Sequence, residues 1–263
     1  MGRLCLLLCG VMAGTIGPFG LKDMFTLINL LGGVAAIHFV LVGRPEAAGY
    51  ALLAGYLFGD AIDGLVARAT HTANRFGREL DTATDHFVQA IVPAIVVCAV
   101  YGRGGHPTAG VVLLAVIVTC ATVRQALYGV ARLGDPRLYC GLPRTVSGYA
   151  AMSFVLSRCF FGGPAGFLVG DVLVSTLALM NLLPIPYLTH RGARRLPWYV
   201  KLAGAGFLLT PAATFFIARD HTFDVVFLWL VGYAATAWIP LDPAERRTFF
   251  ARYRAWTVEV SRP

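Results

Sequence analysis

Asp60-Ala61-Ile62-Asp63-Gly64-Leu65-Val66-Ala67-Arg68, eight further residues, and then Gly77-Arg78-Glu79-Leu80-Asp81-Thr82-Ala83-Thr84-Asp85 form one string between apolar stretches. Residues 47–66 lead into it and residues 84–101 lead out of it. Each is about as long as the roughly 20 apolar residues a helix needs to cross a bilayer. Further stretches of this kind occupy residues 25–43, 108–130, 146–160, 164–188, 198–217 and 222–240. The chain is 57% hydrophobic and only 14% charged, against about 25% charged in soluble domains. The reading is an all-α fold, a polytopic integral membrane bundle of about eight transmembrane helices. Short loops leave no room for a separate soluble module. Residues 24–240 form the membrane domain, preceded by a segment 1–23 and followed by a basic cytosolic tail, 241–263.

Charge placement sets the expected topology. With a cytosolic N-terminus and eight alternating spans, outside loops hold Arg44, Arg103, Arg158 and Arg219, and the other Lys and Arg residues lie inside. That is the positive-inside pattern. It puts both termini and the acidic string on the cytosolic side of the cytoplasmic membrane. The net charge of +8 therefore reports membrane topology and anionic headgroups, not nucleic acid. Residues 4–19 are apolar but broken by Gly10, Gly14, Gly17 and Pro18, which fits an interfacial helix better than a cleaved signal. The six cysteines show no C-x-x-C pair, so neither a disulfide framework nor a zinc site is indicated. Asn181, Pro184 and Pro186 predict a kink or break in the sixth span.

Asp60 and Asp63 lie three apart and share a helix face, as do Asp81 and Asp85, four apart. Gly64 and Ala67 extend the first face and Gly77 the second, so small residues sit beside the carboxylates. Arg68 follows, with a fork suited to phosphate. Oxygen ligands of this kind suit hard divalent cations such as Mg2+ or Mn2+. Two such ions would relieve the mutual repulsion of four carboxylates and clamp a phosphoryl displacement. Solvated helix-end carboxylates explain any one Asp, but not eight fixed positions, which arise by chance on the order of once in 10⁹ starts.

The string resembles the signature of the CDP-alcohol phosphatidyltransferase family, with Asp60, Asp63, Gly64, Ala67, Arg68, Gly77, Asp81 and Asp85 each on a signature position. The resemblance implies a six-helix core, here with additional C-terminal helices, and a homodimer. It implies transfer of a phosphatidyl group from a CDP-lipid such as CDP-diacylglycerol to a small alcohol, with release of CMP. It assigns two metal ions to Asp60, Asp63, Asp81 and Asp85, and a CDP pocket to Gly64, Ala67, Arg68 and Gly77. Asp85 is the implied general base, acting chiefly by position. Met24 to Gly33 resembles the T-L-x-N-L-x-x-G entry of the serine-using branch, which brings Thr26 and Asn29 to the CDP site. Gly77-Arg78-Glu79-Leu80-Asp81 is similar to the same branch, as is the stretch from Arg132-Leu133 to Gly141-Leu142-Pro143. L-serine is thus the expected acceptor, with phosphatidylserine as product. Val88-Gln89-Ala90-Ile91-Val92-Pro93 departs from that branch, which keeps choline, glycerol phosphate, inositol phosphate and an archaeal ether lipid as alternatives. Arg78, Gln89 and Arg124 are the candidates for acceptor or lipid phosphate; Arg124 is costly at its depth unless paired. A cation transporter is the rival class, but it would place its carboxylates near the bilayer midplane.

Overall fold

The computed structural model describes residues 20–60, 74–130, 138–161, 163–188, 198–236, 239 and 241–261. The expected interfacial helix 4–19 and the motif residues Asp63, Gly64, Ala67 and Arg68 lie outside the described residues. The described part is almost wholly helical and falls into two compact units, 1–92 and 93–263.

In the first unit, α1 (Leu21–Leu41) and α2 (Pro45–Gly55) form a hairpin. Gly43 sits at φ +73°, the left-handed geometry that ends a helix cheaply, and Pro45 starts the next one where its missing N–H costs nothing. The pair packs through small residues. A Cβ on Gly32 would lie 2.8 Å from Gly55 Cα, and one on Gly59 would lie 2.6 Å from the Asn29 backbone nitrogen. Such close backbone approach is how membrane helices associate without a hydrophobic drive between them. Met24, Ile28 and Leu31 form an exposed apolar stripe on α1, the face expected toward lipid. A π-helical turn, Tyr56–Asp60, follows α2. Next among the described elements is α3 (Arg75–His86), a second π-turn at Phe87–Ile91, and α4 (Val92–Arg103). Together the last three make a continuous helical stretch of 29 residues.

The second unit takes in α4 from Pro93 onward and holds α5 (Pro107–Val130), α6 (Arg144–Leu156), α7 (Pro164–Leu179), α8 (Trp198–Ile217), α9 (Thr222–Thr236) and α10 (Pro243–Val260). Its core gathers Ala94, Val97, Tyr101, Ile117, Phe154 and Phe227 with their neighbours. Tyr101 meets Phe167 edge-on at 5.0 Å, and its hydroxyl donates to the Phe167 carbonyl at 3.2 Å, which satisfies a buried polar group.

Lys22–Leu41, Arg75–Arg103 and Pro107–Tyr128 are long and apolar enough to cross a membrane, and Pro164–Leu179 and Ala205–Ile217 are shorter apolar helices. The described residues thus form an all-α fold with helices suited to a membrane. Two elements depart from the simple run of spans. The sixth expected span ends at Leu179, where Asn181 Nδ2 donates to the Ala178 carbonyl at 2.8 Å and to Ser147 Oγ at 2.9 Å. The chain then forms β2 (Pro186–Leu188), paired antiparallel with β1 (Leu138–Cys140), Tyr139 opposite Tyr187. Asn181 and the prolines predict the break; nothing in the sequence predicts the ribbon. The second departure is the C-terminal basic segment. It folds as α10, started by Pro243 and by the Glu245 carboxylate accepting from the Asp242 N–H at 3.2 Å. Phe249 and Trp256 are buried in a cluster with Leu138, Cys140 and Leu241.

Candidate active site

Asp60, Asp81 and Asp85 converge in the first unit. Each is partly buried, and one carboxylate oxygen from each lies within 4.8 Å of the others. Their convergence has a local cause. Asp60 closes the π-turn after α2, Asp81 and Asp85 lie one helical turn apart on α3, and α1 packs against both elements. The second π-turn begins two residues after Asp85. Each π-turn inserts one residue into the helical register and re-aims the side chains beyond it, a device common at functional sites. Within the second turn, Val88, Gln89 and Ala90 are buried. Gln89 Nε2, the acceptor candidate of the sequence, donates to Oδ1 of the expected base Asp85 at 2.7 Å.

The donor set fits a divalent metal. Three carboxylates at this separation supply hard oxygen ligands, and their partial burial makes an uncompensated charge cluster costly. Thr26 and Asn29, predicted for the CDP site, are buried on α1, at 1% and 2% exposure. Asn29 lies against Gly55 and Gly59, one residue before Asp60, and its buried Oδ1 has no hydrogen-bond partner among the described residues.

The start of α3 is built from residues that sequence reasoning passed over. Asn74 caps it, its Oδ1 accepting from the Gly77 N–H at 2.7 Å. Gly77 is buried against α1: Lys22 Nζ donates to the Gly77 carbonyl at 3.1 Å, and Asp23 is fully buried beside it. Asp23 Oδ2 accepts from the Gly20 N–H at 2.7 Å, and Lys22 Nζ is 3.9 Å from Asp23 Oδ1. Arg78 is exposed and lines a cleft of about 350 Å³ with Lys22, Asn74, Arg75 and Asp81. Two signals were present in the sequence: an Asn three residues before Gly77, and a Lys-Asp pair at the mouth of an apolar span, where charge is expensive without a partner.

Arg124 belongs to the second unit. It is buried, and its NH1 donates to the Cys140 carbonyl at 2.5 Å and to the Asn181 carbonyl at 2.9 Å. The guanidinium also lies 4.7 Å from the Tyr128 ring centroid. Arg124 therefore ties α5 to the β-ribbon and to the end of α7. Gly141 stands at φ +73°, where a Cβ would fall 2.9 Å from Arg124 NH1. Burial pushes the Cys140 thiol up to about 11, with Arg124 pulling in the opposite direction.

A CDP-alcohol phosphatidyltransferase family model matches residues 19–188, more than half of the chain. The CDP-diacylglycerol–serine O-phosphatidyltransferase of Helicobacter pylori strain 26695 is 23% identical over 184 residues, 68% of this chain and 75% of that protein. The protein of that name from Mycobacterium bovis is 34% identical over 108 residues, 41% of this chain and 37% of its own length. A third such relative, from Mycobacterium leprae, is 34% identical over 79 residues, 30% of this chain and 26% of its own length. The match spans α1, the carboxylates of the first π-turn and of α3, and the β-ribbon, and the chain belongs to the CDP-alcohol phosphatidyltransferase family, membrane enzymes of phosphatidyl transfer from CDP-lipids.

Proposed function

We propose that the enzyme transfers the phosphatidyl group of CDP-diacylglycerol to the hydroxyl of L-serine, releasing CMP and forming phosphatidylserine. The observation that carries the reading is the convergence of Asp60, Asp81 and Asp85, with Asp85 hydrogen-bonded to Gln89. The serine acceptor is supported by the names of the relatives.

Asp60, Asp81 and Asp85 would hold divalent metal, with Asp63 of the same signature as the fourth ligand. Divalent ions bound there would supply electrostatic stabilisation of the phosphate oxygens and of the departing CMP. The chain's own residues do the rest. Asp85, held by Gln89 through Oδ1, takes the proton from the serine hydroxyl. The hydroxyl oxygen bonds to the lipid-side phosphorus as the bond from that phosphorus to the CMP oxygen breaks. Thr26 and Asn29, with Gly64, Ala67, Arg68 and Gly77 of the signature, would line the CDP pocket. Arg78, at the exposed edge of the cleft beside Asp81, is suited to a carboxylate or phosphate of the incoming substrate.

Asp81→Asn and Asp85→Asn test the chemistry. CMP release should fall by about 100-fold or more in each, the size expected when a metal ligand or general base is lost. Wild-type rates in both would remove the carboxylates from the mechanism.

A further inference from the structure

Gly77 occupies a signature position that the family resemblance assigns to the nucleotide pocket. The contacts around it give a different reason for its smallness. A Cβ on Gly77 would overlap Asp23 Oδ1 and come within 2.7 Å of Lys22 Cε. Asp23 is fully buried, and its Oδ1 accepts no hydrogen bond among the described residues. That oxygen instead lies against the Gly77 backbone, the kind of close approach in which a Cα–H faces an oxygen. Lys22 completes the contact by donating to the Gly77 carbonyl at 3.1 Å.

We infer that Lys22 and Asp23 are positioning residues for the metal-binding carboxylates, and that residue 77 is glycine because Asp23 lies on it. Gly77 precedes Asp81 by one helical turn and Asp85 by two. Side-chain oxygens stand about 6 Å from a helix axis, so a rotation of α3 by about 20° moves them about 2 Å. Metal coordination tolerates errors of about 0.2 Å. Something must therefore fix α3 about its axis near its N-terminus, and the Lys22 bond to the Gly77 carbonyl and the seating of Asp23 against Gly77 are placed to do so. The Asp23 carboxylate bridges two helix starts: one oxygen caps α1 through the Gly20 N–H, and the other abuts α3.

The inference rests on the metal reading of the carboxylates. Its test uses the full-length chain in detergent, with manganese as the probe. Free Mn2+ is read by electron paramagnetic resonance, independently of turnover. Asp23→Ala should weaken manganese binding about 10-fold, as lost support of a ligand does. Gly77→Ala should weaken it at least as much, through the clash with Asp23. The decisive species is the double variant Asp23→Ala/Gly77→Ala. With the carboxylate gone the methyl still meets Lys22 Cε at 2.7 Å, near the end of a flexible side chain that can swing away, so the double variant should lose no more than about 3-fold beyond Asp23→Ala, far less than the two single losses combined. If instead the full Gly77→Ala loss persists on the Asp23→Ala background, glycine is needed for something other than Asp23, and the inference fails. Wild-type affinity in Asp23→Ala overturns it too.

Should Asp23→Ala not fold, the lysine pair carries the test. Lys22→Arg keeps a donor for the Gly77 carbonyl and should bind manganese like wild type. Lys22→Met removes it and should lose about 3-fold, the scale of one net hydrogen bond. Equal, wild-type affinities in both overturn the role of Lys22. A wild-type protein that takes up no more manganese than Asp85→Asn is a different pattern: it removes the metal site itself, and the positioning role with it.

Discussion

Asp85 Oδ1 accepts from Gln89 Nε2 at 2.7 Å, and this bond ties the expected base to a residue of the Val88–Pro93 stretch, which the sequence reading sets apart from the serine-branch pattern. Gln89 is buried, so replacing it with an apolar side chain takes a donor away from a partly buried carboxylate oxygen. The cost is about 1–3 kcal/mol. Gln89→Leu should therefore lower kcat by about 10-fold or more while leaving KM for the CDP-lipid near its original value. A raised serine KM with unchanged kcat would instead make Gln89 an acceptor ligand. At this scale the sequence spoke clearly for the carboxylates, because helical spacing alone pairs Asp81 with Asp85. It could not assign Gln89, because a residue one turn from a catalytic Asp points equally well at substrate or at the Asp. Nor could it separate a ligand-binding Arg124 from a structural one. Only the fold brings the Cys140 and Asn181 carbonyls to the guanidinium.

The α1–α2 hairpin decides where Asp60 stands, and its closeness depends on missing side chains. Gly59→Ala would push a methyl to 2.6 Å from both the Asn29 backbone nitrogen and its Cβ. Backbone cannot retreat cheaply, and overpacking of this kind costs about 1–3 kcal/mol. Thermal unfolding in detergent should shift down, and CMP release should fall because Asp60 moves with the turn. An unshifted melting curve would show that the helices have slack at this point. Asn74→Ala, by contrast, removes a cap worth about 0.5–2 kcal/mol and should lower stability with a smaller effect on turnover. The two π-turns that frame the carboxylates were invisible in the sequence: an inserted residue leaves the apolar character of the segment unchanged. The ribbon was hidden for a related reason. Each strand is three residues long, too short for alternation to register.

For the molecule as a whole, the apolar segments were the most legible feature. Helices occur within all eight expected spans, and three are long and apolar enough by themselves to cross a membrane. The C-terminal segment was the least legible. Its arginines suggested a basic cytosolic tail at anionic headgroups, while Phe249 and Trp256 supply a face that packs on the ribbon. Sidedness is the expectation left to experiment. Cys159 is exposed beside Arg158 in an expected outside loop, whereas Cys120 and Cys140 are buried. The Cys140 thiol, pushed up to about 11 by burial, stays protonated at neutral pH and is a poor nucleophile. A variant retaining only Cys159 should react with a membrane-impermeant maleimide from outside intact cells, and one retaining only Cys140 should not. Labelling of Cys159 only after the membrane is opened would invert the topology.

The central claim joins the carboxylate site to one acceptor, and a single measurement addresses both. Purified protein is supplied with CDP-diacylglycerol, manganese and a panel of isotopically labelled serine, choline, glycerol phosphate and inositol phosphate, and the lipid product is identified by mass. The account predicts phosphatidylserine and an equal quantity of CMP, both abolished by chelator. Phosphatidylcholine or another product in place of phosphatidylserine would contradict the acceptor, and undiminished product with chelator present would contradict the site.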